Sequence, residues 1–244
     1  MGQFEPLEYS KEFSRVFTRV FNRGQTDTLI GGIDEAGRGA LAGPLSVAMV
    51  VFSPEFFKRA TQDGAEKDFL LTLDDSKKLS TKIRQNLLPL VKQLSLFAKC
   101  VMVPAKTIDK IGINPATEFA ILRLVNRFEQ WSKNRYNGKT IALSLLVDGN
   151  YKLNQVRSDP RLATVRTEVK GDSRIASIAA ASILAKVLRD NRMTKFDRFI
   201  SGYDFSSHKG YGTVSHRRAI VDLGQSRLHR KSYQTQLSLF KNLS

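Results

Sequence analysis

Apolar residues come along this chain in two rhythms, unbroken runs and stretches spaced by three or four. LIGGID at 29–34, PLSVAMVVF at 44–52 and LFAKCVMV at 96–103 are runs of strand length, the first two separated by a glycine-rich turn. Between the second and third, Ile83, Leu87, Leu90 and Leu94 repeat at helical spacing over 80–93 behind a Ser or Thr start. A longer helix is expected to open at Asn114-Pro115, to carry Phe119, Leu122, Val125, Phe128 and Trp131, and to end at Asn137-Gly138. IALSLLVDG at 141–149 reads as a buried strand that stops at an acid, and ATVRTEV at 163–169 alternates like another. From Asp172 to about Asp190 the pattern is apolar nearly all round through Ala185, which predicts a helix buried between the sheet and a further layer.

The order ββ, helix, β, helices, β, β, helices predicts an α/β fold, a mixed sheet covered by helices. Residues 1–27 read as an N-terminal helical extension closing at Gly24-Gln25-Thr26, 28–223 as the main domain, and 224–244 as a tail. There is no internal repeat and no low-complexity linker.

Charge narrows the class of partner. Among 244 residues, 39 Lys+Arg face 23 Asp+Glu, a formal net charge of +16, so a polyanion is the natural ligand, nucleic acid ahead of an anionic membrane surface. The most apolar stretches, 45–52 and 177–188, are too short to span a bilayer, which takes about 20 residues. The acidic start MGQFEPLEYSKEF lacks the apolar segment of an export signal, and the single cysteine, Cys100, forms no internal disulfide; a cytoplasmic monomer is expected, with Cys100 in the core.

Four acids fall at the ends of the expected elements: Asp34 and Glu35 close the first strand, Asp148 closes the fourth, and Asp172 precedes the buried helix. Acids gathered from several element ends, with no cysteine beside them, suit a hard cation such as Mg²⁺ or Mn²⁺. Neighbours on a strand point to opposite faces, so Asp34 and Glu35 converge only if the chain leaves strand geometry between them, and Ala36-Gly37-Arg38-Gly39 could supply that turn. Structural readings stand beside this one. Asp172 could be a helix cap, Asp148-Gly149 a turn opener, and spacing does not exclude Asp74, Asp75 or Asp190.

Taken together the motifs resemble the type 2 ribonucleases H, the bacterial ribonuclease HII family, over nearly the whole body of the chain. The matching blocks are IDEAGRGALAGP at 33–44, LDDSKKLS at 73–80, VDGN at 147–150, VKGDSRIASIAAASILAKVLRD at 169–190, HKGYGTVSHRRAI at 208–220 and HRKSY at 229–233. The resemblance implies a ribonuclease H-like five-stranded mixed sheet flanked by helices, with a helical C-terminal extension. It implies an endoribonuclease that cuts the RNA strand of RNA–DNA hybrids and cuts 5′ of single ribonucleotides in duplex DNA, serving ribonucleotide and primer removal, with two Mg²⁺ or Mn²⁺ ions on Asp34, Glu35, Asp148 and Asp172.

It further implies that the Gly37-Arg38-Gly39 turn reads the ribose 2′-hydroxyl through its backbone, that Lys77, more than Lys78, clamps a phosphate, and that Tyr211 stacks on the sugar of the deoxynucleotide after the ribonucleotide. Lys186, Arg189, Arg192, Lys209, Arg217 and Arg218 would form a basic surface. The turn separates the chain from the HIII type. Ala40 stands where the family has proline, and 53–72 reads as a surface insertion without chemistry. In the tail, Gln236, Leu237, Ser238, Leu239 and Phe240 resemble the motif that docks on the bacterial sliding clamp. Two other readings remain at this point: a metal-dependent DNA junction nuclease of the same fold, and a basic binding protein whose acids are structural.

Overall fold

The computed structural model describes residues 28–60, 62, 64–73 and 79–233. The expected N-terminal helix, Lys77 and Lys78, Asp74 and Asp75, and the 236–240 motif lie outside the described residues.

Five strands, β1 (Thr28–Ala36), β2 (Leu45–Val51), β3 (Phe97–Val103), β4 (Ala142–Asp148) and β5 (Leu162–Glu168), form one sheet in the order β3-β2-β1-β4-β5. β2 runs antiparallel to β1 and β3, while β4 runs parallel to β1 and β5, so the sheet is mixed as expected. All seven residues of β2 are buried, the mark of a strand covered on both faces.

On one face the helices α4 (Ala105–Ile111) and α5 (Ile113–Arg135) pack over Ile33, Val47, Met49, Leu145 and Val147 through Ile108, Ala120, Ile121, Leu124 and Phe128. On the other, α7 (Ala176–Asp197) lies over Ala48 and Val50, with α1 (Pro54–Ala60), α2 (Ala65–Thr72) and α3 (Thr81–Leu94) beside it. The short α6 (Asn154–Arg157) follows β4, and α8 (Phe205–His208) and α9 (Val214–Leu223) form a third cluster with Leu41, Met193 and Tyr203.

Several expectations need correction. α7 opens at Ala176, preceded by a 3₁₀ turn at Gly171–Ser173, and Ile175 at its cap makes no side-chain bond; Asp172 is therefore not the cap of this helix. In α5 Val125 and Phe128 are buried and Leu122 and Trp131 pack on the core as expected, but Phe119 is exposed, and Thr117, Ala120, Ile121 and Leu124 complete the buried stripe. In α3, Leu87 and Val91 are buried while Ile83 and Leu90 face outward, and Ser80 caps the helix by accepting from the Ile83 N–H.

The 53–72 segment is not a surface insertion. Phe56 and Phe69 are buried beside Phe52, with the Phe52 and Phe56 rings stacked at 4.4 Å. Nor does a tail start at 224: His229 bridges to Ala42, and Arg230 is 1% exposed. Residues 224–233 thus belong to the body.

β1 and α7 pack backbone against backbone at Gly32. A Cβ at Gly32 would fall inside the van der Waals radii of the Ser177 and Ile178 backbone, and α7 presents Ala176, Ala179, Ala180 and Ala181 around that point. Gly32→Ala forces strand and helix apart, so it should destabilise the protein by about 1–3 kcal/mol, the usual cost of overpacking a core. Urea unfolding checks this, and an unchanged midpoint would refute the close approach.

Candidate active site

β1 and β4 run in parallel register with Ile33 opposite Val147. The next residue on each, Asp34 and Asp148, therefore stands side by side at the same end of the sheet, on the α7 face. Beyond β5 the chain enters the left-handed region at Lys170 (φ 57°) and turns through Gly171, which brings Asp172 under the same edge. Gly171 has no room for a side chain: a Cβ would sit 2.6 Å from Ile178 Cδ1, and its N–H donates to Asp148 Oδ1 at 2.8 Å. As a result Asp34, Asp148 and Asp172 each offer a carboxylate oxygen, all within 4.8 Å of one another.

Burial, with the negative charges of Glu35 and Asp148 beside it, pushes the Asp34 carboxyl well above the usual range, against the opposing donations of the Ser182 side chain on α7 and the Glu35 N–H. Carboxylates held this close repel, and their all-oxygen donor set fits a hard dication.

Glu35 is placed differently from expectation. The chain does not bend between Asp34 and Glu35, which both pair in regular register with β2, at Ala48 and Val47. Glu35 therefore projects from the opposite face and lies outside the three-acid group. Its Oε1 accepts from the Tyr151 hydroxyl at 2.6 Å. Burial and the Glu35 charge push the Tyr151 phenol up, so it stays a donor.

The turn after β1 is held from both sides. Gly37 takes φ +86°, and a Cβ there would collide with the Arg189 side chain. Two buried arginines wrap the 37–44 loop through its carbonyls: Arg230 donates to Gly37 O (2.7 Å), Arg38 O (2.7 Å) and Gly43 O (3.0 Å), and Arg189 to Pro44 O (2.9 Å) and Ala42 O (3.2 Å). Burial pushes Arg189 down to about 10 and lowers Arg230 as well. Arg189, 0% exposed, is thus a structural clamp and not part of a basic surface.

The Arg38 side chain folds back onto α5, donating to Thr117 Oγ1 at 3.1 Å and to Asn114 Oδ1, with its guanidinium 4.8 Å from the Tyr151 ring centre. Gly39 differs from Gly37: it is exposed, and a Cβ there would meet nothing within 4 Å among the described residues. The Tyr211 hydroxyl accepts from the Gly37 N–H at 3.2 Å, which sets its ring beside the turn.

Behind Tyr211 stand all three histidines of the chain. His229 Nδ1 accepts from the Ser226 N–H at 2.9 Å, so its Nε2–H donates to His216 Nε2 at 3.1 Å, and His216 Nδ1–H donates to Tyr211 O at 2.9 Å. His208 stacks on His216 at 4.1 Å. Sequence motifs pointed to Tyr211 and the four acids. They gave no sign of Tyr151, of Ser182 or of the clamp made by Arg189 and Arg230, because none of these stands out by spacing and each acts through a fold contact.

Burial pushes His216 and His229 down to about 4, against about 6.5 in an unfolded chain. Between these values the unfolded chain binds protons that the folded one refuses, so stability is complete above the higher value and declines as pH falls toward the lower. Asp34 titrates with the opposite sign, so the measurement belongs in Asp34→Asn. Its urea midpoint should be lower at pH 5 than at pH 7, and an equal midpoint would remove the histidine cluster as the cause.

The family model for ribonuclease HII matches residues 31–236. A curated ribonuclease HII from Syntrophotalea carbinolica is 40% identical over 205 residues, 84% of this chain and 85% of that protein. Among solved structures, ribonuclease H2 from Pyrococcus horikoshii superposes with a TM-score of 0.62 at 22% identity, covering 88% of this chain and 98% of that one. RNase HII from Archaeoglobus fulgidus, solved in complex with PCNA, gives 0.61 at 25% identity, covering 84% and 95%. A match that runs from β1 past the HRKSY block, on a chain that also shares the five-stranded fold, makes this protein a member of the ribonuclease HII family.

Proposed function

We propose that the protein is an endonuclease that hydrolyses RNA strands in RNA–DNA hybrids and cuts duplex DNA on the 5′ side of a single embedded ribonucleotide. The observation that carries this reading is the meeting of Asp34, Asp148 and Asp172 beside an exposed glycine turn. Two divalent cations, Mg²⁺ or Mn²⁺, would when bound activate water and stabilise the charge on phosphate and leaving oxygen. Asp34, Asp148, Asp172 and Glu35 would hold them.

The remaining roles belong to the chain itself. Gly37, Arg38 and Gly39 would present backbone to the ribose 2′-hydroxyl, and the open space at Gly39 supports close approach of a sugar. Tyr211 would stack on the next deoxyribose, its ring fixed through Gly37. Lys77 would clamp a phosphate. Water adds across the P–O3′ bond, leaving a 3′-hydroxyl on the preceding nucleotide and a 5′-phosphate on the ribonucleotide.

For partners, the Gln236-Leu237-Ser238-Leu239-Phe240 motif supports docking on a sliding clamp, and the Archaeoglobus relative solved with PCNA supports the partner class. No described helix is long and apolar enough to cross a membrane, and we read the protein as a cytoplasmic monomer.

Mapping the cut in a DNA duplex with one ribonucleotide tests the function. Cleavage should require Mg²⁺ or Mn²⁺ and fall 5′ of the ribonucleotide, and cutting of an all-DNA junction instead would overturn the reading. Asp34→Asn or Asp148→Asn should lower the rate at least 100-fold, since ligand loss removes several kcal/mol of charge stabilisation, while hybrid binding persists. Near-wild-type turnover in either variant would take that acid out of the mechanism.

Tyr211→Ala should lose more activity on the embedded ribonucleotide than on a continuous hybrid, where every sugar carries a 2′-hydroxyl. Equal losses would make Tyr211 a support for the turn alone.

A further inference from the structure

Tyr151 touches two parts of the site that the sequence motifs leave separate. Its hydroxyl donates to Glu35 Oε1 at 2.6 Å, while its ring carries the Arg38 guanidinium at 4.8 Å from its centre. The ring has its place because Gly149, the residue after Asp148, has no side chain: at φ +96° a Cβ there would lie 2.8 Å from the ring carbon Cε2. The backbone around it is tied on both sides. The Gly149 N–H donates to Glu168 O at 2.9 Å, and Glu118 of α5 accepts from the N–H groups of Gln155 (2.7 Å) and Val156 (3.2 Å). Arg38 is in turn fixed to the same helix through Thr117 and Asn114.

We propose that Tyr151 is a positioning residue that fixes Glu35 for metal binding from one end and the ribose-reading turn from the other, so that the two halves of the site are ordered together. The inference rests on the ribonuclease reading for what each half does. Glu35 leaves β1 on the face opposite Asp34, and it can serve the same ions only from a constrained direction. A hydroxyl bonded to one carboxylate oxygen supplies that constraint, as groups behind a metal ligand do. The ring works independently of the hydroxyl. A guanidinium lying on an aromatic face loses freedom and gains attraction, and Arg38 lies between the two glycines of the turn.

Because the two contacts use different parts of one side chain, two substitutions separate them. Tyr151→Phe keeps the ring and removes the bond to Glu35; Tyr151→Leu removes both. Titration calorimetry of the full chain with MnCl₂ should show Mn²⁺ binding about tenfold weaker in Tyr151→Phe, the lower end of what groups behind a metal ligand contribute. The Mn²⁺ midpoint for cleavage should move by the same factor, with KM for a ribonucleotide-containing duplex at saturating metal unchanged. In Tyr151→Leu the metal effect should recur, joined by a severalfold rise in KM as Arg38 loses its platform.

A role confined to folding would shift thermal melting and leave Mn²⁺ affinity alone. Wild-type Mn²⁺ affinity in folded Tyr151→Phe therefore overturns the proposal, and this variant decides even if Tyr151→Leu fails to fold. Should the wild-type protein cut no ribonucleotide-containing duplex, the nuclease reading fails, while the Mn²⁺ comparison still decides whether Tyr151 governs Glu35.

Discussion

The contact on which the rest of the structure depends is the close approach of α7 to β1 at Gly32, where neither element has space for one more carbon. A strand and a helix at ordinary spacing keep about 10 Å between axes, as sheets and helices do when side chains separate them. Here a glycine and a run of alanines remove that spacer, so polar residues further along α7 reach the end of the strand. Ser182 reaches Asp34, and Arg189, two turns on, reaches the loop that leaves β1. One helix thereby sets both the carboxylate at the strand end and the turn beside it. An alanine-rich helix is favoured by propensity but has little apolar area to bury. Its burial on all sides, under α3 and against the sheet, makes up for that.

The loop after β1 shows a second economy, buried cations whose hydrogen bonds go mainly to main-chain carbonyls. Arg189 and Arg230 are 0% and 1% exposed, and their donors go to main-chain carbonyls of residues 37–44 and to Lys209 O. A guanidinium suits this task because it stays charged and offers five donors in a rigid fork, whereas an ammonium would lose its proton more readily under the same burial. A loop rich in glycine has no side chains with which to hold its own shape. The arginines give it one from outside, and they leave Gly39 exposed toward solvent.

Much of this architecture was legible in the chain, and what was not has physical causes. Four strands announce themselves by apolar runs, and β5, largely exposed at the edge of the sheet, by alternation. The acids were visible because they end those runs. The face expected for α5 holds at Leu122, Val125, Phe128 and Trp131 and fails only at Phe119, which is exposed because the core there is met by Ala116, Ala120 and Ile121. The 53–72 segment looked like an insertion because its burial depends on three phenylalanines meeting across two short helices, a contact that no local period encodes. Arg189 sits in a sequence of charges that would suit a solvated face; only the fold shows that the loop crosses over it. Tyr151 is invisible for the same reason, since its partners are 116 and 113 positions away.

The site itself is held in a state that the carboxylates alone would resist. Asp34, Asp148 and Asp172 share a small volume, brought together by β-sheet register and by the turn at Gly171, and burial first, then the negative charges of Glu35 and Asp148, raise the affinity of Asp34 for a proton. No contact among the acids draws them in; they are carried there by apolar packing elsewhere, chiefly β1 against α7 and β4 against β1. Folding therefore sets aside part of the stability of the core to keep negative charge concentrated at the sheet edge. A cation arriving there meets ligands already gathered and partly desolvated, and its binding relieves a repulsion that the fold imposed beforehand. On this account the positive net charge of the whole chain and the negative charge of its site do different work, the first favouring a polyanionic partner and the second favouring cations at the sheet edge.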